Sequence, residues 1–360
     1  MNNGLKGINS NKTRTYKTGD VVILKSTDAR PVGWTKDGEN ISTTGDLYRK
    51  LQVAGNPIQM WVTQTSQFGT SQINAVAYGN GLWVAVGAGG ALRTSTDGAT
   101  WTTQTSQFTN TISAVAYGNG LWIAGGLLGV LRTSTNGTTW VTQTSTFGTS
   151  NINTISYANS LWVAGGNGAT IRTSTNGTTW VTQTSNFGTS SVVSLAYGNG
   201  LWVAIGNVGT LRTSTDAVTW VTQTSVSGTS TIFSVAYDNG LWVAGGQSGI
   251  LRTSTNGTTW VTQNPNLGTS TIESVAYGNG LWVAGGQNGV LRTSTDAVTW
   301  VSQTNTFRGL SVIQSVAYGN GLWVAVGDGG TLRTSDIYSS FTQINFGYTL
   351  SDYLAAYIKP

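Results

Sequence analysis

The stretch Tyr78-Gly79-Asn80-Gly81-Leu82-Trp83-Val84-Ala85 has near copies along most of the chain. The seven tryptophans that mark these copies recur at a nearly constant interval of about 40 residues. They are Trp83, Trp122, Trp162, Trp202, Trp242, Trp282 and Trp323. An Asn-Gly pair between two apolar runs is the strongest short-range signal for a β-hairpin with a type I′ turn. The sequence therefore predicts seven similar units, each with a hairpin at its centre.

Around each hairpin the unit extends into further short apolar runs. In the second unit these runs are 111–117, 121–125, 130–134 and 140–145, which we interpret as strands A to D. A period of about 40 residues with tryptophan and glycine punctuation is typical of a β-propeller with one four-stranded blade per repeat. We therefore expect an all-β fold, a seven-bladed β-propeller over residues 61–344.

The ring of blades has to close. Eight segments resemble strand D, for seven sets of strands A to C; they begin at Trp61, Trp101, Trp140, Trp180, Trp220, Trp260, Trp300 and Phe341. We predict that residues 61–66 supply the outer strand of the last blade, which leaves no open sheet edge between the ends of the ring. The alternative is closure by residues 341–345.

Composition excludes several classes of function. The 360 residues carry a net charge of +5, but residues 1–60 hold nine Lys/Arg and five Asp/Glu. No cluster of basic residues in the repeats indicates a nucleic-acid face. Cysteine and histidine are absent, which excludes disulfides and thiolate zinc sites and removes the commonest general base. We expect no cofactor and no metal.

No targeting or membrane segment is expected. Residues 1–16 are polar, and we interpret them as an N-terminal arm. The segment from Met1 to Lys17 lacks an apolar core, so we predict no signal peptide. No apolar run approaches the roughly 20 residues of a membrane helix, so we expect no membrane insertion.

The segments that flank the repeats resemble the phage tail-collar domain of short tail fibres. The matching residues, in the family's order, are Pro31, Gly33, Trp34, Asp37, Gly38, Ser42, Tyr48 and Leu51, with Tyr357-Ile358-Lys359 as its final strand. Lys36 stands where the family often has cysteine, and the repeats stand where it has an Asp-Leu-Arg-Gly segment. The resemblance implies a small collar domain in two halves, 17–60 and 345–360, with the propeller inserted. The alternative is that both ends form a capping layer on the propeller.

The link between strands C and D resembles the Asp box of sialidase-like (BNR) propellers. One copy is Ser95-Thr-Asp97-Gly98-Ala-Thr-Trp101. The Asx positions are Asp97, Asn136, Asn176, Asp216, Asn256 and Asp296. An Asx side chain bonds the backbone of its own turn, and tryptophan packs between strands. We expect these boxes to be structural and to lie opposite the ligand face.

The sequence argues against a glycosidase. One arginine per blade recurs at one equivalent position, which favours a repeated structural task over an active site. Glu273 is the single glutamate of the repeats, so no paired carboxylates recur for glycoside hydrolysis. Catalysis needs an asymmetric set of groups, and none is visible. We predict no catalytic residues and no enzyme.

Loops at one end of the propeller vary from blade to blade. Strand D meets the next strand A through loops that carry Phe68, Phe108, Phe147, Phe187 and Phe307. The B–C loops carry Asn167, Asn207, Gln247, Gln287 and Asp328. Aromatic rings among amides suit a sugar, which has apolar faces and many hydroxyls. The alternatives are unconstrained drift of the loops and phenylalanines that pack in the core.

The resemblance and the loops together predict a non-enzymatic virion protein of a phage tail. It would be a tail fibre or adhesin that binds a bacterial surface glycan or receptor through the loop face and contacts other tail proteins. Collar-type fibres are commonly trimers, so a homo-oligomer is implied. The alternatives are a structural or assembly propeller that binds a protein partner and, third, a glycosidase.

Overall fold

The computed structural model describes residues 61–224, 228–263, 269–303 and 312–336, and three further strands near the chain ends. The chain divides into two compact units, Met1–Ile58 with Tyr338–Pro360, and Gln59–Ile337. The predicted arm at 1–16, the eight motif residues of the first collar half, Lys359 and Phe307 lie outside the described residues. Tyr357 and Ile358 of the final-strand motif lie within them.

In the first unit, the three described strands are β1 (Val21–Leu24), β2 (Thr35–Lys36) and β31 (Ala355–Ile358). They form one antiparallel sheet in the order β1-β31-β2. Val21 lies opposite Ile358 and Leu24 opposite Ala355. Segments from both ends of the chain therefore share a sheet. Their assignment to a tail-collar domain stays a prediction.

The second unit is a seven-bladed β-propeller, as the repeat predicts. Each blade is a four-stranded antiparallel sheet. The A strands are β4 (Ile73–Gly79), β8 (Ile112–Gly118), β12 (Ile152–Ala158), β16 (Val192–Gly198), β20 (Ile232–Asp238), β24 (Ile272–Gly278) and β28 (Ile313–Gly319). The B strands are β5 (Leu82–Gly87), β9 (Leu121–Gly126), β13 (Leu161–Gly166), β17 (Leu201–Gly206), β21 (Leu241–Gly246), β25 (Leu281–Gly286) and β29 (Leu322–Gly327).

Strands C and D are shorter. The C strands are β6 (Leu92–Ser95), β10 (Leu131–Ser134), β14 (Ile171–Ser174), β18 (Leu211–Ser214), β22 (Leu251–Ser254), β26 (Leu291–Ser294) and β30 (Leu332–Asp336). The D strands of blades 1 to 6 are β7 (Thr102–Thr103), β11 (Val141–Gln143), β15 (Val181–Gln183), β19 (Val221–Thr222), β23 (Val261–Gln263) and β27 (Val301–Ser302).

The seventh blade takes its D strand from the start of the ring. Strand β3 (Val62–Thr63) pairs antiparallel with β30, with Val62 opposite Thr334. Closure therefore uses the predicted segment 61–66. The buried core between blades 7 and 1 joins Val324 and Leu332 to Ile73 and Trp83, so the closing contact is packed like the others.

The hairpin that defines the repeat forms as expected. Asn80 and Gly81 both have positive φ, 49° and 75°, which a type I′ turn requires. Trp83 is buried and lies against Tyr78 across the hairpin, with ring centroids 4.9 Å apart in a tilted arrangement. The same pair recurs in all seven blades, so the same aromatic contact stabilises each hairpin.

Candidate functional site

The B–C turns and the D–A segments lie at the same end of the ring, and we call this surface the loop face. Ser106 of the D–A segment donates its hydroxyl to the carbonyl of Gly90 in the B–C turn, at 2.5 Å. The backbone N–H of Phe108 in turn donates to the Ser106 hydroxyl at 3.1 Å. Equivalent bonds join Ser66 to Gly330 and Ser145 to Gly129. Hydrogen bonds therefore join the two sets of loops into one surface.

The phenylalanines predicted to bind a ligand are buried in the core between blades. Their exposed fractions are 4% for Phe68, 7% for Phe108, 3% for Phe147 and 3% for Phe187. Each D–A segment crosses the gap between two blades, and the ring closes that gap. The packing alternative describes these four positions, and the rings present no open face on which a sugar could stack.

An arginine covers each of these rings. The guanidinium carbon of Arg93 lies 4.7 Å from the centre of the Phe68 ring, and its Nε and Nη2 donate to the carbonyl of Gln67 at 3.0 and 2.8 Å. Arg132, Arg172 and Arg212 lie 5.0–5.1 Å above the next three rings. The arginine thus clamps the D–A loop that enters its blade, which is the repeated structural task expected from the sequence.

The polar residues predicted for the B–C turns occupy the first position of each turn, and those of blades 3, 6 and 7 contact strand A of the same blade. Asn167 accepts a hydrogen bond from Asn153 at 2.9 Å, and Asp328 accepts one from Gln314 at 3.1 Å. Gln247 accepts from the backbone N–H of Thr231. Asn207 is half-buried and Gln287 is exposed. All five residues belong to the loop face, and their role in binding a ligand stays a prediction.

Sequence reasoning missed the residues that these turns contact. The second residue of each A strand lies at the loop-face end and differs in nearly every blade: Asn74, Ser113, Asn153, Val193, Phe233, Glu273 and Gln314. Positions that vary within an otherwise constant repeat are a signal for function, and a comparison of the blades at every position would have found this set.

Glu273 is the most perturbed acid of the loop face. Burial raises the pKa of its carboxyl, the nearby charge of Asp328 raises it further, and a hydrogen bond from Gln287 opposes both effects. Gln287 Nε2 lies 3.3 Å from Glu273 Oε1. Blades 6 and 7 therefore give the loop face an acidic sector.

Two exposed apolar residues of the B–C turns were also missed. Leu128 and Val208 are 55% and 57% exposed, and both have φ of 57°. Glycine occupies this second turn position in blades 1, 3 and 7, as Gly89, Gly168 and Gly329. A β-branched or bulky side chain in the left-handed region is a rare outlier. The chain holds these two side chains in strained conformations, and both are turned to solvent.

The Asp boxes lie at the opposite end of the ring, where strand C ends. Asp97 accepts hydrogen bonds from the backbone N–H groups of Ala99 and Thr100 at 2.9 and 2.7 Å, and the Trp101 indole donates to Gly98 at 2.8 Å. Asn136, Asn176, Asp216, Asn256 and Asp296 accept equivalent pairs of bonds. These six side chains hold their own turns. Kinship with sialidase-like propellers stays a prediction.

The described residues contain no group of three or more His, Cys, Asp or Glu that could hold a metal ion. No helix within the described ranges has the length and apolarity needed to cross a bilayer.

Comparison with solved structures confirms the propeller fold. The YCF48 protein bound to a D1 peptide is similar with a TM-score of 0.64 and 15% identity, over 78% of this chain and 96% of that one. YCF48 from Cyanidioschyzon merolae gives 0.61 and 17%, over 76% and 98%. The WD40 β-propeller domain of Doa1 gives 0.64 and 14%, over 80% and 99%. No protein-family model and no curated protein matches the sequence.

Proposed function

We propose that this chain is a non-catalytic propeller that binds a protein partner through its loop face. The observation that carries the proposal is the pair Leu128 and Val208. Large apolar side chains that are exposed and held in the left-handed region cost free energy without packing in the core. Such strain at a surface points to a function of that surface.

The similar solved structures support the same class of function. One of them is a propeller bound to a peptide. At 15% identity that likeness is one of fold, so the peptide itself is not carried over. It supports the use of a propeller surface as a protein-docking site.

A binding role also fits the chemistry of the loop face. The four arginines described above are held by loop carbonyls and stacked on phenylalanines, so their geometry is that of a clamp. The remaining polar groups are mostly amides, which orient a ligand and do not transfer protons near neutral pH. We therefore propose that the chain is not an enzyme.

The test uses displayed random peptides selected on the full chain. Enriched peptides should lose about tenfold in affinity for the double variant Leu128→Gly with Val208→Gly, which corresponds to about 1.4 kcal/mol. Glycine suits the left-handed backbone at both positions, so the fold should be retained.

A matched control removes apolar surface elsewhere. Val141 and Val181 on the D strands are 58% and 56% exposed, and Thr102 occupies the equivalent position of blade 1. The double variant Val141→Thr with Val181→Thr should bind the enriched peptides normally. Failure to enrich any peptide, or equal losses in both double variants, would contradict the proposal.

A second candidate is the tail fibre or adhesin. It is favoured by the sheet β1-β31-β2, which joins the two segments whose sequences resemble a tail-collar domain. In this proposal the chain belongs to the virion, docks on other tail proteins, is trimeric, and binds a surface glycan through Asn167, Asn207, Gln247, Gln287 and Asp328.

The discriminating experiment incubates the full chain with whole bacteria and with their extracted surface polysaccharides. Retention without release of sugar ends would support the adhesin, and release would overturn the proposal that the chain is not an enzyme. If neither occurs while peptides are enriched on the loop face, the protein-binding proposal stands and the adhesin falls.

A further inference from the structure

Opposite charges lie on the two faces of the propeller. Each C strand has an arginine as its second residue, next to the B–C turn, so the arginines belong to the loop face. They are Arg93, Arg132, Arg172, Arg212, Arg252, Arg292 and Arg333. The opposite face, where the A–B and C–D turns lie, carries the acidic residues Asp97, Asp216, Asp238 and Asp296.

The arginines of the first four blades are not neutralised by carboxylates. Among the described residues, the groups that accept hydrogen bonds from Arg93, Arg132, Arg172 and Arg212 are carbonyl, hydroxyl and amide oxygens. Arg93 uses its Nε, Nη1 and Nη2 in three such bonds. Since a guanidinium has five N–H donors, two stay available to a ligand. Burial lowers the pKa of these groups, but arginine stays protonated in proteins.

Asp97 and Asp216 on the opposite face stay ionised as well. Backbone hydrogen bonds from Thr100 and Ala99 lower the pKa of Asp97 to about 2, and equivalent bonds lower that of Asp216 to about 2. The ring segments 225–227, 264–268 and 304–311 contain no acidic residue and one arginine, Arg308. The separation of charge is therefore not offset by the sequence of those segments.

We infer that the loop face docks an acidic protein segment, with apolar side chains of that segment on Leu128 and Val208. This inference rests on the protein-binding function proposed above and specifies the chemistry of the partner. Charges of one sign on one face attract an oppositely charged partner over about 8–10 Å at physiological salt.

Two loop-face acids set the position of the segment. Glu273 and Asp328 lie in blades 6 and 7 and would repel its carboxylates. Arg132 and Arg212 lie in blades 2 and 4, the same blades that carry Leu128 and Val208. The acidic and apolar parts of the segment are therefore expected over blades 1 to 4, where attraction and apolar contact coincide.

The test measures binding of labelled poly-L-glutamate and poly-L-lysine to the full chain by fluorescence anisotropy, at low and at physiological salt. Poly-L-glutamate should bind more tightly, and its affinity should fall as salt rises. Tighter binding of poly-L-lysine would overturn the inference. Polygalacturonate serves as a third probe, and tighter binding of this anionic polysaccharide than of poly-L-glutamate would also overturn it.

Two double variants change the net charge of the chain equally but on opposite faces. They therefore separate the effect of loop-face charge on binding from the effect of net charge. Glu273→Gln with Asp328→Asn removes two carboxyl groups from the loop face. Asp97→Asn with Asp216→Asn removes two from the opposite face, where asparagine is the natural residue in blades 2, 3 and 5. Both keep the basic residues 1–60, so binding by that segment contributes equally. The first variant should bind poly-L-glutamate severalfold more tightly, and the second should match the wild type.

Equal affinities of the two double variants would show that net charge alone acts and would overturn the inference. Different outcomes contradict the proposed protein-binding function and the inference of an acidic partner. If peptides enriched on the loop face are neutral or basic and still depend on Leu128 and Val208, protein binding stands and the acidic partner is rejected. If poly-L-glutamate binding follows the loop-face charge and no peptide depends on those residues, the loop face attracts acidic chains, and the function proposed for Leu128 and Val208 is rejected.

Discussion

The two sets of turns at opposite ends of strand C show how one fold separates structure from function. In the C–D turns, side chains make the turn: Asp97 accepts from two backbone amides and Trp101 bonds Gly98. In the B–C turns, the backbone makes the turn: Ala91 N–H donates to the Ala88 carbonyl at 3.2 Å. The C–D turns therefore keep nearly the same residues in six blades, whereas the B–C turns can vary. A turn held by its own backbone leaves its side chains available for a partner.

Loss of a C–D tryptophan is expected to have the largest effect. Trp140 is fully buried and its indole N–H donates to Gly137 at 3.0 Å. Trp140→Ala should lower the free energy of unfolding by about 3–5 kcal/mol, because it leaves a cavity between blades. Leu128→Ala in the B–C turn of the same blade should change it by less than about 0.5 kcal/mol. Denaturant unfolding measures both, and similar effects would remove the distinction between the two ends.

Loss of the hydrogen bond that joins the D–A segment to the B–C turn should have the next largest effect on stability. Ser106→Ala removes the hydroxyl that donates to Gly90 and leaves a buried carbonyl without that partner, which should cost about 1–3 kcal/mol. Thr105→Ala, at an exposed neighbouring position, is the control and should be nearly neutral. Native-state hydrogen exchange at the Phe108 amide should accelerate in the first variant. Unchanged exchange would show that the loops are held by other contacts.

The repeat predicted the fold because its signals are local. Asn80-Gly81 specifies a hairpin, Trp83 specifies its packing, and the regular return of the same motif specifies the blade. The segment 61–66 could be chosen for closure because it matches the outer strands of the other blades. These inferences need only chain order and the hydrophobic pattern.

The candidate site was harder to predict, because it depends on which way side chains point across blades. From the sequence, Phe147 and Phe187 could be exposed rings or core residues. The structure shows that both are buried between two blades. The strain at Val208 depends on its backbone φ, which the sequence Asn-Val-Gly does not reveal. Gln287 lies in the B–C turn and contacts Glu273 at the start of strand A of the same blade. A sequence analysis limited to the loops overlooks this contact.

Substitution of the second residue of a B–C turn should have a smaller effect on the free energy of unfolding. The sign should be opposite for valine to glycine in blade 4 and glycine to valine in blade 3. Val208→Gly relieves a left-handed valine and should raise the free energy of unfolding by up to about 1 kcal/mol, partly offset by the greater freedom of glycine in the unfolded chain. Gly168→Val creates the same strain in blade 3 and should lower it by about 1–2 kcal/mol. Thermal unfolding measures both. Destabilisation by Val208→Gly would show that Val208 is held by packing and would weaken its assignment to a partner.

The smallest expected effect is a difference in pH dependence between the two ends. The pKa of Asp97 and of Asp216 is about 2 in the folded chain against 3.8 as the ordinary value. A lowered pKa means that these groups stabilise the fold above about pH 4 and lose that contribution as the pH falls towards 2. Any stability gap between the wild type and Asp97→Asn with Asp216→Asn should therefore narrow as the pH falls. Both carboxylates are near the surface, so solvent screening keeps the gap small.

Glu273 on the loop face should have the opposite dependence. Its pKa is raised, chiefly by burial, so the protonated form is favoured in the fold and stability is lost as the pH rises through the folded pKa. Glu273→Gln keeps an oxygen that accepts from Gln287 and removes the charge, so it should stabilise the chain at neutral pH, with the gain vanishing in acid. Thermal unfolding from pH 3 to pH 8 measures both variants. If the gain from Glu273→Gln does not change with pH, the pKa of Glu273 is not raised in the fold and its carboxyl is solvated. Glu273 would then be charged at neutral pH, which would strengthen its repulsion of an acidic partner.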